Sequence, residues 1–389
     1  MTELIIPQYL CLDTATIGKL AQAAYSKDRS KASLALEIRD AIQRHGWLVL
    51  FTAEHLLEIC QHENEGTILE RMKYLRGFEW LATIRPFNND SRPGSFIDVD
   101  LHEISAVLNS DGESSFADVV AQVRAEVFDV RKSNDTLGGT VEEIRLFAEK
   151  ARQLHKKSQL TTSVARTDPA GVKQKRLRDF VDTMLEDRSA RQSVFEHEST
   201  KMTAELESMG DHRLRQHGEI SNDFYDGVLQ MLDDLETHSP IRDGSDLIER
   251  LARKFNVPVS MVSPRMTVGE FSALIFFSMN LSIYSRGLGR RLTLQDITPK
   301  QLPSWRLREQ LEACQNRADR VEGGNSIDRR LAGLAFYADA CEVDKRTLEY
   351  LRQIRQRENK YHVLDNAFRV RGIEDLLSIV TSDVHSACE

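Results

Sequence analysis

The chain has 389 residues, enough for one large domain or two ordinary ones, and its 41% hydrophobic and 7% aromatic content describes a packed, helix-rich globular protein. A formal net charge of −8 argues against a uniformly cationic nucleic-acid glove but leaves local basic patches open. Five dispersed cysteines, Cys11, Cys60, Cys314, Cys341 and Cys388, include no CxxC pair, which argues against a disulfide scaffold or zinc knuckle and for a reducing compartment.

The opening residues lack a basic region ahead of a long apolar core, so no secretory signal is expected and a cytoplasmic location is. Gln8 to Leu12 reads as a buried strand with Asp13 and Thr14 at its carboxyl end. Helical segments follow over 17–24 and 34–44; the second puts Leu34, Ile38, Ala41 and Ile42 on one face and stops at His45-Gly46. Trp47 to Phe51 is a second strand, then Thr52 precedes a helix over 53–59 that carries Glu58. Helix resumes over 68–75, and 85–94 is a turn-rich loop.

From about Phe116 to Tyr284 strand signals nearly vanish and amphipathic helical patterns take over, at 119–130, 141–154, 177–207, 224–235 and 247–255. The most apolar run, Ala273 to Phe277, is interrupted by Ser278, Asn280 and Ser282; it is too short to span a bilayer and predicts a buried helix, with no membrane partner. A helix over 306–320 is followed by one that Ser326 caps, with Asp328 in its first turn and Leu331, Leu334, Ala335 and Ala338 on its apolar side. Ala340 to Val343 is a short strand ending at Asp344; helix over 348–356, strand over 367–370 and helix over 373–379 complete the chain.

Strands alternating with helices predict an α/β fold with a parallel sheet, and in such sheets ligands collect beyond the carboxyl ends of the strands. The acids at strand ends lie on both sides of the helical stretch, so the economical division is a discontinuous domain: 1–115 and 285–389 form the α/β part, and 116–284 is an all-helical insertion.

With these residues in view, the chain resembles the PIN-domain nuclease family. The resemblance rests on the strand ending in Asp13-Thr14, on Thr52 followed six residues later by Glu58, on Asp328 opening a late helix, and on Asp344-Lys-Arg-Thr347 after a short strand. It covers roughly the first hundred and the last ninety residues. It implies a three-layer α/β/α domain whose acidic cluster holds Mg²⁺ or Mn²⁺ and cleaves a phosphodiester, most often in RNA. Asp13, Glu58, Asp328 and Asp344 would be the catalytic metal ligands. The family commonly has Asn two positions after the first Asp, where this chain has Ala15.

The chemistry is coherent, because hard divalent ions take carboxylate oxygens and activate water. Each acid also has a local alternative: Asp13 ends a strand, Asp328 sits near a helix N-terminus, Asp344 caps a helix and Glu58 is exposed. Asp339 reads better as an ordinary helix end, and Asp319 and Glu342 are weaker candidates still. Thr14 and Thr52 could hydrogen-bond a ligand carboxylate or a phosphate, although Thr52 equally suits an N-cap; Lys345 and Arg346 could steady the scissile phosphate or be solvated. His55, Glu58 and His62 share a helical face but lack HExxH spacing, so zinc is not favoured, and no Walker loop is present. Basic residues between Lys150 and Arg178, and between Arg286 and Arg308, could track a phosphate backbone. The expected protein is therefore a regulated endoribonuclease, for instance a stress or phage-defence effector. An inactive scaffold that binds a protein, or a homo-oligomer built through the insertion, is the competing expectation.

Overall fold

In the computed structural model the described residues are 7–88, 92–110, 115–138, 173–185, 240–263, 265–315, 325–358 and 364–381, with scattered positions between 143 and 235. The chain divides into two compact units. One comprises Met1–His155, Pro299–Gln315 and Ser326–Glu389; the other comprises Lys156–Thr298 and Asn316–Asn325.

The first unit begins β1 (Gln8–Cys11), α1 (Thr14–Ala24), α2 (Arg29–Arg44), β2 (Trp47–Phe51), α3 (Ala53–Cys60), α4 (Glu65–Arg76), β3 (Trp80–Ile84), α5 (Phe96–Asn109), α6 (Phe116–Glu126), β4 (Phe128–Lys132) and α7 (Ser133–Thr136). The second unit contributes α8 (Leu177–Leu185), α9 (Gly244–Lys254) and α10 (Val268–Gly287). Then follow α11 (Pro303–Gln315), α12 (Asn325–Gly333), β5 (Ala340–Glu342), α13 (Lys345–Arg357), β6 (Ala367–Phe368) and α14 (Ile373–Thr381).

Six strands form one sheet in the order β4-β3-β2-β1-β5-β6. All neighbours are parallel except β3 and β4. A parallel sheet is covered on both faces, and the strand sequences follow that demand. Leu10 and Leu12 share one core with Val49, Phe51 and Leu81, packed against Ile17, Leu20, Ile38, Ile42 and Leu75. The alternate residues Cys11, Leu50 and Ala82 are buried as well, which strand alternation assigns to the opposite face. Each large apolar side chain so buried stabilises the fold by about 1.5–3 kcal/mol.

Local signals set the turns between these elements. Gly46, with φ of 75°, supplies the left-handed residue that ends α2 and admits β2. Ser95 and Asp98 close a capping box at the start of α5, as Ser115 and Asp118 do at α6.

Strands β3 and β4 were not among the expected elements. Trp80-Leu-Ala-Thr-Ile84 is a short apolar run directly after a helix, and it takes its place because β2 offers a parallel partner from Val49↔Leu81 onward. The helical pattern expected over 119–130 stops at Glu126, and Phe128–Lys132 pairs antiparallel with β3. This strand lies inside the range 116–284 expected to be wholly helical, and the first unit runs on to His155. Its charged residues Asp129, Arg131 and Lys132 suit a sheet edge, which conceals the strand in a helical reading.

In the second unit, α8 packs with α9 and α10. Leu177 N donates to Met266 O at 2.8 Å, and the isolated bridge from Arg176 to Thr267 joins the same segments. The expectation that the apolar run at Ala273 is a buried helix needs correction. α10 buries Phe271, Phe277, Leu281 and Tyr284, but Phe276 and Met279 are 57% and 55% exposed. The helix is apolar around its circumference, so packing one side leaves the other against solvent. Among the described residues no helix is long and apolar enough to cross a membrane.

Candidate active site

The strand order reverses at β1, which has β2 on one side and β5 on the other. Such a switch point opens a crevice at the carboxyl ends of the strands. Asp13 stands there, immediately after β1, as the N-cap of α1; its Oδ1 accepts from Ala15 N at 3.1 Å.

Two glutamates converge on this turn from either side. Glu342, the last residue of β5, accepts from the Asp13 backbone N–H through Oε2 at 3.0 Å and from the Thr16 hydroxyl through Oε1 at 2.6 Å. Glu58, from α3, accepts from the Thr14 hydroxyl at 2.5 Å. The pairing Cys11↔Cys341 brings Glu342 to this level; no local pattern does.

The position of Glu58 depends on His55. Thr52 N donates to His55 Nδ1 at 3.1 Å, so Nε2 carries the proton and donates to Leu12 O at 2.9 Å. Burial pushes this imidazole down to about 4 and keeps it neutral. A neutral ring thus ties the first turn of α3 to the end of β1 and aims the next turn, with Glu58, at Asp13. Both ring nitrogens are committed, which closes His55 to zinc.

Burial pushes Glu58 up to about 7, and the charges of Asp13 and Glu54 act in the same direction against the Thr14 hydrogen bond and Arg71. Burial likewise pushes Glu342 up to about 7; the Thr16 and Asp13 hydrogen bonds and Lys19 oppose it, while the Asp13 charge adds to it. Arg71 is close packed on α1, where a Cβ at Gly18 would meet its guanidinium at 2.9 Å. The arrangement is two weakly acidic carboxyls flanking a third, each held by a threonine hydroxyl.

The other expected site residues have different settings. Asp344 caps α13, accepting from Arg346 N at 2.6 Å, from Thr347 N at 3.1 Å and from the Thr347 hydroxyl. Lys345 and Arg346 are exposed on the first turn of that helix. Thr52 is fully buried as the cap of α3, with its hydroxyl on His55 rather than open to a ligand. The backbone of Asp328 lies in α12; its side chain, like Asp319, falls outside the described residues. Asp339 is structural: it accepts from Tyr9 N at 2.8 Å at the opposite end of β1 and pairs with Arg124.

Glu342, ranked among the weakest candidates by sequence, is in closest register with Asp13. The usable signal was its place as the final residue of a strand that must pair with β1.

The basic residues divide as well. Arg306 pairs with Glu358 at 3.2 Å and Arg308 with Asp100. Arg152, Lys156, Lys157 and Arg166 lie outside the described residues.

Carboxylate oxygens at this crevice are donors of the kind that Mg²⁺ or Mn²⁺ takes. Among the described residues, however, no group of three or more His, Cys, Asp or Glu side chains is drawn together in a metal-holding arrangement. Comparison of the chain with protein-family models, curated proteins and solved structures finds no match.

Proposed function

We propose that the chain is a metal-dependent PIN-like endonuclease that hydrolyses phosphodiester bonds, with RNA as its substrate class. The observation that carries this reading is the meeting of Glu58 and Glu342 beside Asp13 at the switch point of a parallel sheet. Asp328 and Asp344 would complete the acid set implied by the family resemblance.

The described acids are not drawn into a metal-holding group by themselves. In this reading Asp13 and Glu58 would hold a hard divalent ion together with Asp328 and Asp344, and the ion would supply an activated water and offset charge on the phosphate. The chain's own residues prepare for this. Thr14 and Thr16 orient the two glutamates through their hydroxyls. Both glutamates titrate at about 7, so ligand binding at neutral pH would release protons from them. Lys345 and Arg346, exposed after Asp344, can meet a backbone phosphate. A regulated effector role, such as stress response or phage defence, belongs to the same proposal.

The deciding experiment incubates purified full-length protein with single-stranded RNA, structured RNA and DNA, with Mn²⁺, with Mg²⁺ and with chelator. We expect metal-dependent RNA cleavage, reduced on the order of 10²–10³-fold in Asp13→Asn, the scale of losing a principal electrostatic contributor. Folded wild type that neither cleaves nor melts at higher temperature with Mn²⁺ sinks the reading.

Two observations support a second reading, a PIN-like scaffold that binds a protein partner or a second copy. Ala15 stands where the family usually has Asn, and Phe276 and Met279 of α10 are more than half exposed. Light scattering on the full chain, beside a Phe276→Ser, Met279→Ser variant, tests self-association. A monomeric wild type removes the homo-oligomer.

A further inference from the structure

Among the described residues the sheet ends on one side at β4, whose strand neighbour is β3. The backbone groups of β4 divide by position. Arg85 N donates to Val127 O at 2.8 Å and Ser133 N donates to Glu79 O at 3.2 Å, which extends the β3–β4 ladder at both ends. An antiparallel ladder bonds at every second residue, so Asp129 and Arg131 also turn their N–H and C=O toward β3. Phe128, Val130 and Lys132 turn theirs away from the sheet. Lys132 O accepts from the Thr136 hydroxyl at 3.1 Å. The outward N–H and C=O of Val130 have no partner among the described residues.

The side chains of this edge are apolar on one face and charged on the other. The pairings Trp80↔Lys132 and Ala82↔Val130 put Trp80 and Val130 on one face, where they are 40% and 44% exposed. Lys132 Nζ lies over the Trp80 ring, 5.7 Å from its centroid. On the other face Asp129 pairs with Arg85 at 2.8 Å and with Arg131 at 3.2 Å.

Charges on an edge turn away strands that do not match them. This strand matches itself. Laid antiparallel on a second copy about Val130, Phe128-Asp-Val-Arg-Lys132 sets Asp129 opposite Arg131 of the second copy on both sides of a two-fold axis. The outward-facing residues form the hydrogen-bonded pairs. Asp129 and Arg131 therefore fall at the non-hydrogen-bonded positions, where facing side chains come closest. Centring the pair on Asp129 or on Arg131 instead sets like charges opposite each other, which disfavours both neighbouring registers.

We infer that β4 is a self-association edge, which pairs antiparallel about Val130 with β4 of a second copy of this chain and joins the two sheets into one. Val130 exchanges both of its outward bonds with its counterpart, and the N–H of Lys132 meets the C=O of Phe128 at either end. The inference does not rest on the nuclease reading, and it puts a dimer interface on the sheet rather than on α10. A single pair of short strands makes a small interface, of the weak class that buries under ~1,200 Å² in total, so the dimer depends on concentration.

The test is sedimentation velocity of the full chain from about 1 μM to about 1 mM, the span of weak association. Wild type is expected to be monomeric at the low end and increasingly dimeric toward the high end. Val130→Pro removes an outward N–H while leaving the bonds to β3, a placement that edge strands tolerate, and should associate about tenfold more weakly.

A charge exchange tests the register itself. Asp129→Lys and Arg131→Glu each set like charges across the axis, so each alone should remain monomeric. Mixed together they restore opposite charges at both positions and should form a heterodimer, which damage to the fold of either variant would not produce. Phe276→Ser, Met279→Ser should associate as wild type does.

A wild type that is monomeric throughout the range overturns the inference. So does undiminished association in Val130→Pro and both charge variants, a mixture of the charge variants that stays monomeric, or a dimer abolished by Phe276→Ser, Met279→Ser, which would assign the contact to α10.

Discussion

Two glutamate neighbourhoods in the first unit share a raised pKa and differ in almost everything else. Glu103 is fully buried, accepts from Ser304 N at 3.0 Å and from the Tyr337 hydroxyl at 2.5 Å, and sits beside the Asp100–Arg308 pair. Burial and the Asp100 charge push it up to about 7. Glu58 and Glu342 reach the same value beside the carboxyl end of β1, each with a threonine hydroxyl as partner and with the Asp13 turn between them. Glu103 is an internal tie between α5 and α11. A perturbed carboxyl alone therefore does not mark function; carboxyls converging from separate strand ends at a switch point are the stronger indication.

Mutation of the tie should have the largest effect on stability. Glu103→Ala strands the Tyr337 hydroxyl, the Ser304 N–H and part of the Arg308 charge in the interior, and is expected to cost about 3–5 kcal/mol. Chemical denaturation measures this, and the Mn²⁺ response of the surviving folded protein should be unchanged. A loss under 1 kcal/mol would erase the proposed distinction.

The crevice acids should register as a pH effect of intermediate size. A carboxyl that titrates at 4.5 in the unfolded chain and at about 7 in the folded one stabilises the fold below 4.5 and loses that contribution as pH rises through 7. Each such group corresponds to at most ~3 kcal/mol. Melting temperature without metal should therefore fall between pH 5 and pH 8. The fall should be shallower in Glu58→Gln or Glu342→Gln, and in wild type with Mn²⁺. Superimposable curves for wild type and both variants would contradict the assignment.

The smallest effect separates a cap from a ligand at Asp344. Asp344→Ala should lose about 1 kcal/mol with the cap of α13, whereas Asp344→Asn should lose only a few tenths because Asn also caps well. If Asp344 is a ligand, the Asn variant nevertheless loses its Mn²⁺ stabilisation. An Asn variant with wild-type metal response would leave Asp344 as a cap alone.

The parts of this arrangement that are local in the chain could be read from sequence. β1, β2 and β5 announce themselves as short apolar runs, Asp13 is recognisable at the end of a strand, and Thr52 and Asp344 as caps. Glu342 could not be ranked correctly because its importance comes from the register of β5 against β1. β4 was hidden by its edge position, where charged residues replace the apolar run of a central strand. The partly exposed face of α10 was missed for a different reason, since composition reports how apolar a helix is and not how deeply each of its residues is buried.

The pairing of β1 with β5 has a consequence for the protein during its synthesis. The hydrogen bond from Tyr9 to Asp339 spans 330 residues, and the Asp13–Glu342 contact spans almost as many. At ~5–20 residues per second, roughly 15–70 s separates emergence of the two halves from the ribosome. Throughout that interval the nascent chain holds Asp13 and Glu58 without the strand that completes their crevice. A chain assembled in this order cannot join Glu342 to the Asp13 turn until β5 itself has been made.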